Sequence, residues 1–301
     1  MPLQRQHHRR PYPKSRRSSA RGVALIAVLW LVGLLTLLAS ATAVMSVSHR
    51  RAAQRFGERV TLEAAADSAI RIVALRITAP ASGGQVVAGS AIRVELPTGS
   101  ATVTVQRERG RIDLNTADEQ LIFAIFAANG WELEKAHAMA SRIADWTDAD
   151  DEPRKGGAEA RDYAGAGRPY GPRNGAFESV EELRQVLGSE DITAALFDAF
   201  TVYTHERVPS PAVANEFVMN ALIFAEKNHL GDRTWLPEGG VGAQGVGVGP
   251  DFTRTFAGEV LRLRACAGRE NAQRCRLAIV RVTGSNAHPL QTYSWRATSA
   301  R

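Results

Sequence analysis

Hydrophobic and polar positions divide the chain into blocks of different period. Val23 to Ser48 is 26 residues without a single charge, closed by His49-Arg50-Arg51. As a helix rising 1.5 Å per residue, such a run reaches roughly 39 Å, beyond the ~30 Å hydrocarbon core of a bilayer. Residues 23–48 are therefore expected to form a transmembrane helix. A secretory signal would have a shorter apolar region, about 7–15 residues, with a small-x-small cleavage site after it. From Ala52 the chain runs without proline to Pro80, and Val60, Leu62, Ala66, Ile70, Val73 and Ile77 recur every three or four positions. Residues 49–79 should thus continue the helix with one apolar face, until Pro80 to Gly84 ends it.

Beyond that break the period falls to two. Residues 85–96 and 100–106 read as a hairpin around Pro97-Thr98-Gly99, within a first β block at 80–110. A second β block at 258–301 holds strands at 258–267, 274–283 and 290–296. Between them, 111–205 reads as helical. Thr116 with Glu119 forms a capping-box pattern, a helix is expected at 132–146, a third at 180–187 has Ser179 as its cap with Glu182, and a fourth covers 193–200. Residues 206–257 read as loop-rich. One antiparallel sheet interrupted by a helical insertion, an α+β architecture, accounts for this order.

Charge changes meaning once it is located. The chain carries 37 Lys+Arg against 31 Asp+Glu, a net +6. Residues 1–22 hold seven of those cations and no acid, so the remainder balances at −1. The basic leader directly before the apolar run predicts a cytoplasmic amino terminus, and a basic nucleic-acid-binding domain is disfavoured. The opposite sign gathers at 145–159, where Asp145, Asp148, Asp150, Asp151, Glu152 and Glu159 place six carboxylates in fifteen positions. A hard cation would relieve their repulsion, and Ca2+ takes six to eight oxygens. Counted from Asp148 as an EF-hand loop, the acids fit positions three, five and twelve, but Pro153 stands where the sharp turn needs glycine. The absence of His and Cys from the stretch argues against zinc.

Three other patterns carry less. Gly240-Val-Gly-Ala-Gln-Gly245 spells G-x-G-x-x-G, but no strand precedes it and no helix follows, so a loop is expected. Cys266 and Cys275 flank a predicted hairpin with eight residues between them. They would form a cross-strand disulfide in an oxidising compartment and stay as two thiols otherwise. No arrangement for nucleophilic catalysis is evident, and no enzymatic activity is expected.

Arg21-Gly22 set directly against the apolar run resembles the class III leader of type IV pilins and type II secretion pseudopilins. The resemblance implies cleavage by a prepilin peptidase after Gly22, leaving Val23 as the first residue. Most such subunits carry a glutamate five residues into the mature chain; Ala27 stands there, as in the minor pseudopilins of the K type. The stretches GRIDLNTADEQL, D-W-x-D-x-D with G-A-E, and FESVEELRQVLG are also similar to the K type. The fold implied by this resemblance is a long pilin-like helix on an antiparallel sheet, with an all-helical, sterile-alpha-motif-like insertion. The resemblance implies Ca2+ held by Asp148, Asp150 and Glu159, with Asp145 and Asp151 as lesser candidates. It also implies a periplasmic head on a single inner-membrane pass, at the tip of a short pseudopilus. The partners would be other minor pseudopilins and the major pseudopilin. The N-T-A opening at 115–117 is shared with helix-hairpin-helix proteins of DNA uptake, the alternative reading, but the loops at Asn129-Gly130-Trp131 and Gly188-Ser189-Glu190 have no basic cluster, so no nucleic acid is expected.

Overall fold

The computed structural model describes residues 20–78, 86–230, 256–268 and 273–299, with the backbone alone at 20–24 and 41–49. Most of the basic leader, the break at Pro80 to Gly84 and the glycine-rich stretch at 240–245 lie outside the described residues. The first helix, α1 (Ala20–Thr78), is continuous over the backbone of Gly22 and Val23. Two compact units divide the chain, Met1–Val60 and Thr61–Arg301.

In the first unit every side chain from Leu25 to Ser40 is exposed, Ala27 included. Among the described residues no helix is long and apolar enough to cross a membrane. The span expected at 23–48 has described side chains over only sixteen residues, fewer than the ~20 that a crossing needs.

In the second unit the rest of α1 buries Ala65, Ala66, Ala69, Ile70, Val73 and Ala74 against a sheet. The spacing of three and four puts these side chains on one face, and the four alanines let the helix approach the strands closely. The sheet consists of β1 (Ala91–Leu96), β2 (Gly99–Arg107), β5 (Val260–Ala267), β6 (Arg274–Val282) and β7 (Leu290–Thr298), in that spatial order. All four pairings are antiparallel. Its inner face comes from alternation: Ala101, Val103 and Val105 of β2 are buried while Thr102 is exposed. Asp67 of α1 fastens helix to sheet, accepting hydrogen bonds from Arg276 Nε at 2.8 Å and Trp295 Nε1 at 2.7 Å. Cys266 and Cys275 are register partners on β5 and β6 and are joined by a disulfide.

The insertion leaves the sheet after β2 and returns at β5. It enters and exits side by side, as β3 (Ile112–Asp113) pairs in parallel with β4 (Phe200–Thr201), so the helical insertion contains one short strand pair. Its helices are α2 (Glu119–Ala128), α3 (Leu133–Thr147), α4 (Ala160–Gly165), α5 (Ala194–Phe197) and α6 (Glu216–Lys227), with a 3-10 turn at Val180–Gln185. Ser179 and Glu182 do form a capping box. Thr116 and Glu119 do not. Asp118 caps α2 by accepting from Gln120 N, whereas Thr116 donates to Glu206 O. Helix α6 lies inside the stretch read as loop-rich. Phe224 meets Phe123 of α2 edge-on at 6.0 Å, and Asn129 donates to Phe217 O. The insertion's core therefore extends past residue 205.

The DLNT motif serves this fold. Asp113, almost fully buried, accepts from the backbone of Asn115, Thr204 and His205 and from the Thr204 hydroxyl. Asn115 exchanges two hydrogen bonds with the backbone of Phe177. Buried backbone groups need such partners, and these two side chains supply them between segments far apart in sequence.

A buried charge cluster holds the insertion on the sheet. Glu108, at 0% exposure, accepts from Arg262 Nε of β5 at 2.5 Å. Arg262 also pairs with Asp198, which in turn accepts from Arg111 at 3.1 Å.

Candidate functional site

The acidic stretch folds over the end of α3. Trp146 and Tyr163 lie with ring centroids 5.9 Å apart, Trp146 stacks on Phe177 at 6.0 Å, and all three are buried. This aromatic floor sets the last turn of α3 against the start of α4. Asp148 caps the end of α3, and Glu159 is the residue before α4. The loop between them brings Asp148, Asp150 and Glu159 together, with one oxygen from each within 4.8 Å of the others.

Asp145 has a different task. It is wholly buried, and its Oδ2 accepts from Ala158 N at 2.9 Å and Arg154 N at 3.2 Å, while Oδ1 accepts from Arg154 Nη1 at 2.7 Å. The loop backbone is thus bound to a carboxylate beneath it. A Cβ on Gly157 would stand 1.9 Å from Asp145 Oδ2, so the close approach itself requires glycine there. Asp151 accepts from Asn174 Nδ2 at 3.3 Å and is not one of the three grouped residues. Glu152 N donates to Asp150 Oδ1, which turns the loop locally.

The electrostatics are unusual at Glu159. Only 3% of the residue is exposed, and neither carboxylate oxygen has a hydrogen-bond partner; Asp148 Oδ1 is buried and unpartnered as well. Burial, followed by the charges of Asp145, Asp148, Asp151 and Asp150, pushes the Glu159 carboxyl up from 4.5 to about 7. A buried carboxylate without donors and with acidic neighbours is costly, a cost that a bound cation would offset. Three orphaned oxygens, two on Glu159 and one on Asp148, beside the exposed carboxylate of Asp150 would suit a hard oxygen-seeking ion. The donor set therefore fits Ca2+, which Asp148, Asp150 and Glu159 would hold.

Arg154 was not singled out by sequence, although it is the one arginine in the acidic run. Its Nη1 reaches Asp145 and Asp148, and its Nε lies 3.8 Å from Glu119. Hydrogen bonds from Asp145 and then Asp148 raise its already high pKa further. The loops weighed for anion binding are used internally: Asn129 is engaged by α6, and Glu190 is paired with Arg168.

Residues 105–204 match the family described as type II secretion system (T2SS), protein K. The chain is 24% identical over 194 residues to the type II secretion system protein K of Pectobacterium carotovorum subsp. carotovorum, covering 57% of this chain and 59% of that protein. It thus spans less than two thirds of that curated relative. Its fold resembles a chain in the crystal structure of the GspK-GspI-GspJ complex from the enterotoxigenic Escherichia coli type 2 secretion system. That likeness has a TM-score of 0.55 at 15% identity, over 84% of this chain and 100% of the other. The matched family domain covers most of the insertion, acidic loop included, and the curated relative bears the same family name, so over this region the chain is similar to type II secretion system protein K.

Proposed function

We propose that this chain is a minor pseudopilin of a type II secretion system, which sits at the tip of the pseudopilus, initiates its assembly and supports export of folded proteins across the outer membrane. The observation that carries the reading is the position of the family domain. It is mounted between β2 and β5 of a sheet whose inner face is covered by the carboxyl-terminal part of α1. In an assembly built by packing such helices side by side, a bulky insertion hinders addition of a further subunit above it. Ala27 agrees with that place. A glutamate buried there would need a partner from a neighbouring subunit, and the topmost subunit has no such neighbour to satisfy.

The role is mechanical, without catalysis. Prepilin peptidase removes the leader after Gly22, Val23 becomes the amino terminus, and the apolar run anchors the subunit in the inner membrane with its head in the periplasm. The Cys266–Cys275 disulfide suits that oxidising compartment. The partners are the other minor pseudopilins, as the GspK-GspI-GspJ assembly suggests by analogy, and the major pseudopilin. Ca2+ held by Asp148, Asp150 and Glu159 supplies the positive charge that ties the end of α3 to the start of α4. The test is deletion of the gene in its host. Secreted enzymes should accumulate in the periplasm, and export should return with the wild-type gene but not with a Gly22→Asp variant that blocks processing. Unimpaired export in the deletion strain would refute the role.

A further inference from the structure

Asp148 faces two ways. Its Oδ2 is engaged by Arg154 Nη1, while Oδ1 is buried and unpartnered, and a carboxylate oxygen of Asp148 lies within 4.8 Å of Asp150 and Glu159. The same guanidinium holds Asp145 Oδ1 at 2.7 Å and stands 3.8 Å from Glu119. Among the described residues of the 145–159 loop, Arg154 is the cation that touches the carboxylates. It reaches them from the side of Asp145, and not from the side of Glu159, whose oxygens remain bare.

We infer that Arg154 is a built-in counter-cation that shares Asp148 with the metal, a deepening that rests on the Ca2+ reading above. It has two effects of opposite sign. Without metal, it neutralises part of the carboxylate repulsion and keeps the loop closed over Asp145. With metal, its charge stands across a single carboxylate from a divalent ion and repels it. Arg154 also takes the second oxygen of Asp148, which leaves that residue one oxygen for the ion. Arg154 thus stabilises the metal-free loop while lowering metal affinity, so that the site fills at higher Ca2+ than its acids alone would set. It is a positioning residue and not a ligand.

The experiment titrates CaCl2 by calorimetry into the detergent-extracted full chain stripped with EDTA, with thermal unfolding followed by circular dichroism in both states. Arg154→Gln is expected to lower the unfolding temperature in EDTA and to tighten Ca2+ binding on the order of tenfold, the scale of one charge removed beside a divalent ion. Arg154→Lys keeps the charge and should bind Ca2+ as the wild type does. Loss of one partner of buried Asp145 destabilises both states alike, so the readout is affinity and the Ca2+-dependent difference. Should Arg154→Gln fold only when Ca2+ is present, the inference stands; should it fold in neither condition, or bind Ca2+ no tighter than the wild type, the inference falls. A wild-type chain that neither binds Ca2+ nor is stabilised by it would refute the metal reading itself, and Arg154's role with it.

Discussion

Two charge clusters in the second unit look alike in composition and differ in balance. At the seam between sheet and insertion, Glu108 and Asp198 face Arg262 and Arg111, two acids against two arginines. Around the end of α3 and the loop after it, Arg154 pairs with Asp145 and Asp148, while Asp150, Asp151 and Glu159 have no ion-pair partner among the described residues. The seam is saturated: the carboxylate of buried Glu108 is engaged by Arg262 on both oxygens, at 2.5 and 3.5 Å. Burial disfavours the charge on Arg262, yet Glu108 and Asp198 outweigh it and raise its pKa. The loop is unsaturated, and its surplus sits on the most buried of its three converging acids. A balanced cluster acts as a fastener. An unbalanced one is held in place by the surrounding fold, and on the proposed Ca2+ reading a ligand from outside would balance it.

The comparison breaks most visibly at the seam. Glu108→Ala leaves Arg262 buried with Asp198 as its remaining carboxylate, and removing one partner of a buried pair costs about 3–5 kcal/mol. Denaturant unfolding should register that loss equally in Ca2+ and in EDTA. An unchanged midpoint would mean that the seam is not a fastener.

The loop should respond in the opposite sense. At a Ca2+ concentration a hundredfold above Kd, the wild type should gain about 2.7 kcal/mol. Glu159→Gln should lose nearly all of that gain while being no less stable than the wild type in EDTA. The pH dependence carries the same information. The folded, metal-free chain holds the Glu159 proton more tightly than the unfolded chain does, with the carboxyl at about 7 against 4.5. Its stabilising contribution is therefore complete below pH 4.5 and is lost as pH rises through about 7. Melting in EDTA should show this fall between those limits, and Ca2+ should flatten it. A metal-free melting temperature that climbs across that window would contradict the assignment.

A smaller effect separates the two residues considered for the cap of α2. Asp118→Ala should cost about 1 kcal/mol, and Thr116→Ala less, because its hydroxyl bonds only the Glu206 carbonyl at an exposed site. Equal losses would restore Thr116 as the cap.

These contrasts also mark what could be read from the chain. Strand β2 is legible because alternation is local: buried Ala101, Val103 and Val105 sit two positions apart, as do Ala278, Val280 and Val282 of β6. The acids that converge are legible for a related reason, since the loop joining them is short. Arg154 is visible as a residue but not as a partner, because its reach to Asp145 depends on how the loop turns over Gly157. The seam is illegible, as it assembles residues 108, 111, 198 and 262 through two crossings of the inserted domain. Helix α6 escaped for yet another reason: its Phe224 finds its partner in Phe123 of α2, about 100 residues earlier, and a short amphipathic run bordered by loop-like sequence reads as loop without it.

The proposed role predicts one covalent fact that the other readings do not share. Edman or mass-spectrometric analysis of the amino terminus of the membrane-extracted chain should find Val23, the product of cleavage after Gly22. An intact Met1, or a terminus beyond Ser48, would contradict the pseudopilin account.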